Sequence, residues 1–434
     1  MKPMAAWETR SSAPTPDGPE KLARMEAVLS RLGDPHRGVR AIHVAGTNGK
    51  GSVCALLSSI LTEAGLAIGR YTSPHLASWT ERIWANGASP GTDTFDKLLA
   101  EVRRAEKQAL GDATLGEFAR VTAAAFLYFK HSAVDLAILE AGRGGRFDAT
   151  NVAFAPLLSI VTNVADDHLD VLGPSLADVA WHKAGIARAG RPLLTQATGE
   201  PYEVLARVAA ERGAQLVSVA PAMALAADAH SQSIACAGRT WNVNLLGTYQ
   251  VQNTAMAVAA ASFLRQDGLC VPDAAIECGL ERVSWPGRME VFESSSGRWL
   301  FDGAHNPAGV AELLSSLERH LPDEEIVLVF GAMRDKPATR MAGRLAERAK
   351  VVILTAPPSP NAFDPVQLAR DLGPRAVQVI PDPTEALVAA RQLAAGRRIL
   401  VSGSLYLIGL ARRWLELSYP AGTAGDKLVL NKAG

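Results

Sequence analysis

Seven consecutive residues combine glycine, lysine and a hydroxyl in the order of a phosphate-binding loop: Gly46-Thr47-Asn48-Gly49-Lys50-Gly51-Ser52. An apolar run from Val39 to Val44 precedes them, and a helix-like run from Val53 to Ala64 follows. In that setting glycines let backbone N–H groups turn towards a polyphosphate, and the helix N-terminus adds its positive dipole end. Lys50 would reach the β- and γ-phosphates, and the Ser52 hydroxyl would ligate Mg²⁺. A structural turn is the alternative, which lysine and serine after a strand disfavour.

Polar residues also follow other apolar strands. Glu140 ends the run Val134–Leu139, Ser73 follows the predicted strand Ile68–Tyr71, and His168 follows the apolar strand Leu157–Val161. The carboxyl ends of parallel strands are where ligands of α/β proteins collect. Glu140 therefore suits the Walker-B position that holds Mg²⁺, with a carboxylate capping the next turn as the alternative. Ser73 and His168 are weaker evidence, because a lone histidine after a strand is more often a hydrogen-bonded core residue.

The composition bounds the class of protein. The chain has 434 residues, enough for two or three domains, and 44 basic residues balance 44 acidic ones. This balance gives no indication of binding to nucleic acid or a membrane surface. Four scattered cysteines suit a reducing compartment, and neither a signal peptide nor a membrane-length apolar run is apparent. We expect a cytoplasmic α/β enzyme.

Strands and helices alternate along most of the chain, and a second alternating series begins after Trp285-Pro286-Gly287-Arg288. Such alternation predicts mostly parallel sheets and a smaller, Rossmann-like second domain. Short strands are predicted in 220–247, and a helix over Leu176–Arg188. The predicted divisions are a flexible leader, a domain with the phosphate loop, a smaller Rossmann-like domain and a polar tail, at residues 1–18, 19–286, 287–418 and 419–434.

The phosphate loop, together with Ser73-Pro74-His75-Leu76, resembles the folylpolyglutamate synthase/dihydrofolate synthase branch of the Mur ligase family. Those enzymes are ATP-dependent amide-bond ligases. Five more segments are similar to motifs of the family: Glu140–Asn151, Asn163–Gly173, Leu246–Asn253, Asp302–Pro307 and Ser402–Tyr406. The resemblance implies a P-loop Mur-ligase-type central domain with a mostly parallel sheet and a smaller Rossmann-like C-terminal domain.

The resemblance also implies roles for individual residues. Ser52, Ser73, Glu140 and His168 would contribute to Mg²⁺ sites, and carbamylated Lys183 would hold a second Mg²⁺ ion. Without the resemblance, Lys183 would be interpreted as a solvated charge.

Nucleotide contacts are implied for Asn253, Arg288 and Asp302. His305 would serve the glutamate side with Asp302, and Ser404 would lie near the incoming amino acid. The alternatives are a helix-packing amide for Asn253, a surface cation for Arg288 and a helix N-cap for Ser404.

Three positions depart from the family pattern: Ala119, Arg143 and His182, the last of which replaces the usual glutamate before Lys183. For the acid substrate, Arg82 and Asp148 lie in segments predicted to leave the sheet at its ligand-binding edge. A carboxylate can accept paired hydrogen bonds from a pterin, and arginine can hold carboxylates. We therefore expect Asp148 to bind the pteroyl group or shape its loop, with Arg82 holding that segment or the acid. Loop stabilisation alone is the alternative.

These features together predict a monomeric ligase that uses ATP and two Mg²⁺ ions to join L-glutamate to dihydropteroate, reduced folates or both. The active site is expected in the cleft between the domains. A Mur-type or cyanophycin-type ligase of another acid remains an alternative. From a different class, so does a P-loop switch whose only output is ATP hydrolysis.

Overall fold

The computed structural model of the protein describes residues 18–152, 156–228, 231–294, 297–375 and 377–418. The predicted tail, and the predicted leader apart from Gly18, lie outside these described residues. The described chain forms two compact units. The first comprises 18–73, 80–219 and 259–275, and the second comprises 74–79, 220–258 and 276–418. The predicted domain limits stay predictions.

Seven strands form the sheet of the first unit: β1 (Arg40–Ala45), β2 (Ile68–Tyr71), β3 (Ile83–Ala85), β4 (Leu136–Glu140), β5 (Pro156–Val161), β6 (Pro192–Thr195) and β7 (Gln215–Ser218). Their order across the sheet is β3-β2-β4-β1-β5-β6-β7. Only β3 runs antiparallel to its neighbour. β4 is buried along its whole length, and β1 is buried beyond Arg40. Strands that are covered on both faces have continuous apolar sequences, and this is why β1 and β4 could be predicted from the sequence.

The order in which strands are added to the sheet reverses at β1. From β1 the chain passes to β2, beyond β4 on one side, whereas β5 lies against the other side of β1. The carboxyl ends of β1, β4 and β5 therefore meet at a topological switch point. This is the place where open α/β sheets bind ligands.

Seven helices belong to this part of the chain: α1 (Pro19–Arg31), α2 (Lys50–Glu63), α3 (Thr92–Leu110), α4 (Glu117–His131), α5 (Leu169–Leu172), α6 (Leu176–Ala184) and α7 (Gly199–Glu211). The prediction that α6 continues to Arg188 is wrong. The Arg146 N–H donates to the His182 carbonyl at 2.7 Å, which takes the acceptor that a continuing helix would offer to Ile186. Lys183 nevertheless lies in the last turn of α6.

In the second unit, the segment that begins at residue 220 starts with a three-stranded antiparallel sheet. Its strands are β8 (Met223–Ala227), β9 (Gln232–Cys236) and β10 (Arg239–Val243), with β9 in the centre. The predicted short strands are confirmed. Helices α8 (Thr248–Gln266) and α9 (Asp273–Arg282) follow, and each contributes residues to both units.

Six further strands form the main sheet of the second unit: β11 (Glu290–Ser294), β12 (Gly297–Asp302), β13 (Ile326–Phe330), β14 (Ala349–Leu354), β15 (Val377–Val379) and β16 (Arg398–Ser402). Their order is β11-β12-β16-β13-β14-β15, and only β11 is antiparallel. The accompanying helices are α10 (Pro307–His320), α11 (Ala338–Ala346), α12 (Pro365–Asp371), α13 (Pro383–Ala394) and α14 (Leu405–Ser418). The predicted Rossmann-like arrangement is confirmed.

Both faces of this second sheet are packed. Trp299 and Phe301 lie in the apolar cluster on one face, whereas Leu300 lies in the cluster on the other. The parallel register places Asp302, the last residue of β12, beside Ser402, the last residue of β16. Among the described helices, none is both long and apolar enough to cross a bilayer.

Candidate active site

The predicted phosphate loop joins β1 to α2 and is fixed from the neighbouring strand. A Cβ atom on Gly46, whose φ is 149°, would overlap the Thr162 hydroxyl, so only glycine fits there. Asn163 accepts from the Thr47 N–H through its carbonyl at 3.0 Å and from the Asn48 N–H through its side chain at 2.9 Å. Thr162 Oγ1 donates to the Asn48 carbonyl at 2.6 Å. The loop shape is thus preorganised by the residues that follow β5.

Lys50 begins α2 and folds over the loop. Its ammonium donates to the carbonyls of Gly46 and Thr47 at 2.9 and 3.0 Å. An ammonium has three N–H donors, so these two bonds leave one for a ligand. Gly49 precedes the helix in the left-handed conformation, and Ser52 is buried in the first turn. The N–H groups at this helix end and the Lys50 cation together favour an anion.

Glu140, at the end of β4, is 4% exposed. Its Oε2 accepts from the Ser73 N–H at 3.0 Å, so the structure brings these two predicted Mg²⁺ residues together. The charge of Glu140 acts on the neighbouring Arg70, whose pKa falls to about 10 mainly through burial. A buried carboxylate at a strand end is the chemistry of the Walker-B position.

Lys183 is 3% exposed. Burial lowers the pKa of its ammonium well below the usual range, the Lys50 cation lowers it further, and Asp167 opposes both. Lys183, Lys50 and Asp167 are therefore close enough to interact. His168, next to Asp167, adopts a left-handed backbone with φ 54° at the start of α5. Its Nε2 lies 3.7 Å from Asp167 Oδ2.

Acidic and imidazole ligands are sparse in this region. Across the described ranges, no three side chains of His, Cys, Asp or Glu are grouped so as to hold a metal ion. The predicted set relies instead on hydroxyls, one carboxylate, one histidine and a modified lysine. Such a set suits Mg²⁺, which keeps several waters and takes one or two carboxylates together with substrate phosphates.

Asp148 is buried and fully engaged in hydrogen bonds. Its Oδ1 accepts from the N–H and hydroxyl of Thr150 at 3.0 and 2.6 Å, and its Oδ2 from the Arg143 N–H at 3.2 Å. Because the Thr150 hydroxyl donates to Asp148, His43 Nε2 must be the donor in its 2.8 Å contact with that hydroxyl. Burial lowers the pKa of His43 to about 3, so this imidazole is neutral.

Arg82 is buried near the same loop, with 7% of its surface exposed. Burial raises the pKa of Tyr71, and the charges of Arg82 and Asp148 act on that phenol in opposite directions. Arg82 also hydrogen-bonds with Tyr71. The structure therefore brings together, around one tyrosine, the two residues predicted for the acid substrate.

In the second unit, Asp302 ends β12 with 2% of its surface exposed, and burial raises its pKa. His305 follows in the next turn, its Nδ1 2.8 Å from the Gly303 carbonyl. Because a carbonyl oxygen can only accept, Nδ1 is the donor in this contact. Asn306 caps α10 by accepting from the Gly309 N–H at 2.7 Å. His305 and Asn306 are therefore held by hydrogen bonds to backbone groups close to them in the chain.

Ser404 immediately precedes α14 and is 2% exposed. Within the described residues its hydroxyl has no hydrogen-bond partner. Asn253, in α8, donates from Nδ2 to Gln250 Oε1 at 2.9 Å, as a helix-packing amide would. Arg288 Nη1 donates to the Gly287 carbonyl at 3.0 Å. The nucleotide-binding roles of Asn253 and Arg288 stay predictions.

Comparison with known proteins adds family evidence to this geometry. Residues 44–261 match the Mur ligase middle domain, and residues 287–405 match the Mur ligase glutamate ligase domain. The dihydrofolate synthase/folylpolyglutamate synthase of Bacillus subtilis is 34% identical over 415 residues, covering 91% of this chain and 95% of that protein. The chain belongs to the folylpolyglutamate synthase/dihydrofolate synthase branch of the Mur ligase family. The predicted fold class and the predicted class of enzyme, an ATP-dependent acid–amino-acid ligase, are confirmed.

Solved structures of the family are similar along nearly the whole chain. A structure of Escherichia coli FolC in complex with DHPP and ADP has a TM-score of 0.83 at 31% identity, covering 95% of this chain and 96% of that one. Mycobacterium tuberculosis folylpolyglutamate synthase complexed with ADP and AMPPCP also has a TM-score of 0.83, at 29% identity, with 90% and 94% covered.

The three departures from the family pattern occupy different environments. Arg143 has an exposed side chain, whereas Ala119 is buried in α4. His182 packs edge-on against Trp181 and Phe147, with ring centroids 5.0 and 5.8 Å away. These aromatic contacts give His182 a packing role beside Lys183.

Sequence reasoning missed several residues that shape the site. Thr162 and Asn163 hold the phosphate loop, and Asp167 is a carboxylate beside Lys183. Tyr249 donates to Asp302 at 2.6 Å. Asn163, Asp167 and Tyr249 all lie within motifs noted in the sequence, which was the available signal. Their partners are distant in the chain, so no local pattern announces the contacts.

Proposed function

We propose that this Mur ligase uses ATP to join L-glutamate to a pteroyl acid: dihydropteroate, a reduced folate or both. The observation that carries the proposal is the phosphate loop, fixed at the switch point of the first sheet, with Glu140 at the end of the neighbouring strand. The E. coli FolC structure contains DHPP and ADP, and this supports assigning the acid and the nucleotide to these classes.

The chemistry begins with an unreactive acid. A carboxylate oxygen is a poor leaving group, so the acid attacks the γ-phosphate of ATP and becomes an acyl phosphate. The glutamate amine then displaces phosphate and forms the amide, releasing ADP and phosphate. Phosphoryl transfer depends mainly on positioning and on positive charge around the phosphate oxygens. The loop N–H groups, the α2 N-terminus and Lys50 supply that charge.

The residues present fit Mg²⁺. The hydroxyls of Ser52 and Ser73, the carboxylate of Glu140 and the imidazole of His168 would hold it, with ATP phosphates completing the ligands. When bound, Mg²⁺ neutralises charge on the phosphates. Glu140 is buried, and the hydrogen bond that it accepts from the Ser73 N–H fixes the orientation of its carboxylate.

Lys183 fits a carbamate, the modification expected to hold a second Mg²⁺ ion. A lysine reacts with CO₂ as the neutral amine, and burial beside Lys50 favours that form. A buried ammonium next to the Lys50 cation is costly, and conversion to an anion would replace that repulsion by attraction.

The second unit serves the incoming amino acid. The buried Ser404 hydroxyl stands at the N-terminus of α14, where N–H groups favour a carboxylate. His305 directs Nε2 away from its Gly303 partner and is assigned to the glutamate side. Asp302 and Arg288 are assigned to the nucleotide, and Asn253 contributes with them.

For the acid substrate, we propose that Asp148 shapes the pteroyl pocket through its loop and that Arg82 holds the acid or that segment. Asp148→Ala removes the three hydrogen bonds that this carboxylate accepts from Thr150 and Arg143 within the loop. We expect the KM for the pteroyl acid to rise about tenfold or more and the KM for ATP to change much less. Steady-state kinetics with each substrate varied in turn will measure both.

A matched control separates pocket shaping from general destabilisation. Asp382 also accepts from two N–H groups, Thr384 at 2.8 Å and Glu385 at 2.9 Å, at the start of α13. Asp382→Ala should lower the melting temperature without changing either KM. If Asp148→Ala behaves like this control, or weakens ATP and acid equally, its role is only structural.

The function itself is tested by measuring phosphate release and glutamate incorporation together. We expect release only when ATP, glutamate and dihydropteroate or a reduced folate are all present. Release without glutamate or acid would identify a nucleotide switch. Ligation of glutamate to other acids, but to no pteroyl acid, would identify a different Mur-type activity.

A further inference from the structure

The carboxylate of Asp302 connects three separate segments of the second unit. Its Oδ2 accepts from the Tyr249 hydroxyl at 2.6 Å and from the Met289 N–H at 3.0 Å. Its Oδ1 accepts from the Ala304 N–H at 2.9 Å. The first turn of α8, the turn around Arg288 and the turn after β12 are therefore held by one buried carboxylate.

The turn around Arg288 is conformationally demanding. Gly287 and Met289, on either side of it, have φ values of 76° and 45°. The left-handed conformation is sterically unfavourable for a residue such as methionine, so this turn needs bonds that hold it. The Gly303 N–H donates to the Gly287 carbonyl at 2.9 Å, and Asp302 holds the Met289 N–H.

The shape of that turn determines the position of the Arg288 side chain. Its Nη1 donates to the Gly287 carbonyl at 3.0 Å and, together with the Leu405 side chain, occupies the space beside Gly303 that a Cβ atom would enter. The guanidinium is placed against the backbone of the turn after β12. A shift of Asp302 would free the Met289 and Ala304 N–H groups in the two turns that this cation lies against, whereas the Gly287 N–H would keep its bond to Glu290 Oε2 at 2.8 Å.

We propose that Tyr249 is a positioning residue, whose hydroxyl orients the Asp302 carboxylate so that the Arg288 turn presents its guanidinium to nucleotide phosphates. This rests on the proposed function only in assigning Arg288 to the nucleotide. Burial and the Asp302 charge raise the pKa of Tyr249, which keeps the phenol protonated and able to donate. Tyr249 also packs against the apolar cluster of this sheet, and phenylalanine would preserve that packing.

A double-mutant cycle tests the proposal with binding of the ATP analogue AMPPCP, measured by calorimetry in the presence of Mg²⁺. Tyr249→Phe should weaken binding about threefold to tenfold, part of the effect of losing a bond to a charged group. In an Arg288→Ala background, Tyr249→Phe should have almost no further effect, because the group it positions is gone. An equal effect in both backgrounds, or no effect of Tyr249→Phe alone, overturns the proposal.

Thr254→Val is the matched control. Thr254 lies in the same helix and loses one buried hydroxyl bond, to the Gln250 carbonyl at 2.8 Å, without touching Asp302. It should leave AMPPCP binding unchanged, and an effect as large as that of Tyr249→Phe would show that α8 stability alone is responsible. In the ligase assay, Tyr249→Phe should raise the KM for ATP but not for the acid. Because the binding assay needs neither glutamate nor acid, it remains decisive if the proposed ligation fails.

Discussion

Replacing Lys183 by alanine is expected to reduce ligation by about 10²-fold or more, since the substitution would remove the proposed carbamate and its ligand for Mg²⁺. The reason is the burial of this side chain, which is 3% exposed and close to Lys50. As a carbamate, Lys183 would place a negative charge beside Lys50. Alanine provides neither that charge nor a ligand for Mg²⁺.

The same substitution makes a rescue experiment feasible. Lys183→Ala leaves a space of side-chain size in a buried position, and small carboxylic acids such as acetate can enter it. We expect millimolar acetate or formate to restore part of the activity. Lys183→Met is the control, because it removes the amine and keeps most of the volume, so acids should not restore it.

The carbamate can also be tested in the unmodified protein. Enzyme depleted of CO₂ should lose activity and regain it when bicarbonate is added, with no change in melting temperature that would indicate refolding. Near-normal turnover of Lys183→Ala, or activity of the unmodified protein independent of CO₂, would contradict the carbamate.

Much of the fold was predictable because local signals and burial agree. β2 was predicted at its observed limits, and α4 within one residue, because apolar spacing in both segments matches the buried face. The phosphate loop was predictable because glycine, lysine and serine must occur together between a strand and a helix. Apolar spacing and the loop motif both involve residues close together in the chain, so each can be recognised from a short stretch of sequence.

Contacts between distant segments were not predictable in the same way. α6 ends at Ala184 because a backbone N–H 36 residues earlier in the chain takes the His182 carbonyl. The Tyr249–Asp302 bond spans 53 residues, and the His43–Thr150 bond spans 107. Asp148 illustrates the consequence: its motif indicated a functional loop, but only the structure shows that its oxygens serve Thr150 and Arg143.

Lys50→Ala is expected to lower turnover by about 10²-fold or more, because the proposed contact of its ammonium with the γ-phosphate would stabilise the charge that develops there in the transition state. The fold should survive the change. Lys50 gives up only two hydrogen bonds, to the Gly46 and Thr47 carbonyls, and the loop keeps its bonds to Thr162 and Asn163. Turnover measured with all substrates saturating, together with a melting curve, will separate the two effects.

The control for Lys50 is a lysine with a similar contact and no role in the site. Lys130, exposed in α4, donates to the Gly33 carbonyl at 3.4 Å, and Lys130→Ala should leave turnover unchanged. The loop remains fixed from Thr162 and Asn163 in Lys50→Ala, so AMPPCP should still bind, though more weakly. Loss of turnover with retained binding therefore locates the effect in phosphoryl transfer. Near-normal turnover of Lys50→Ala would instead remove this loop from the mechanism, because no other cation in the described first turn of α2 could replace it.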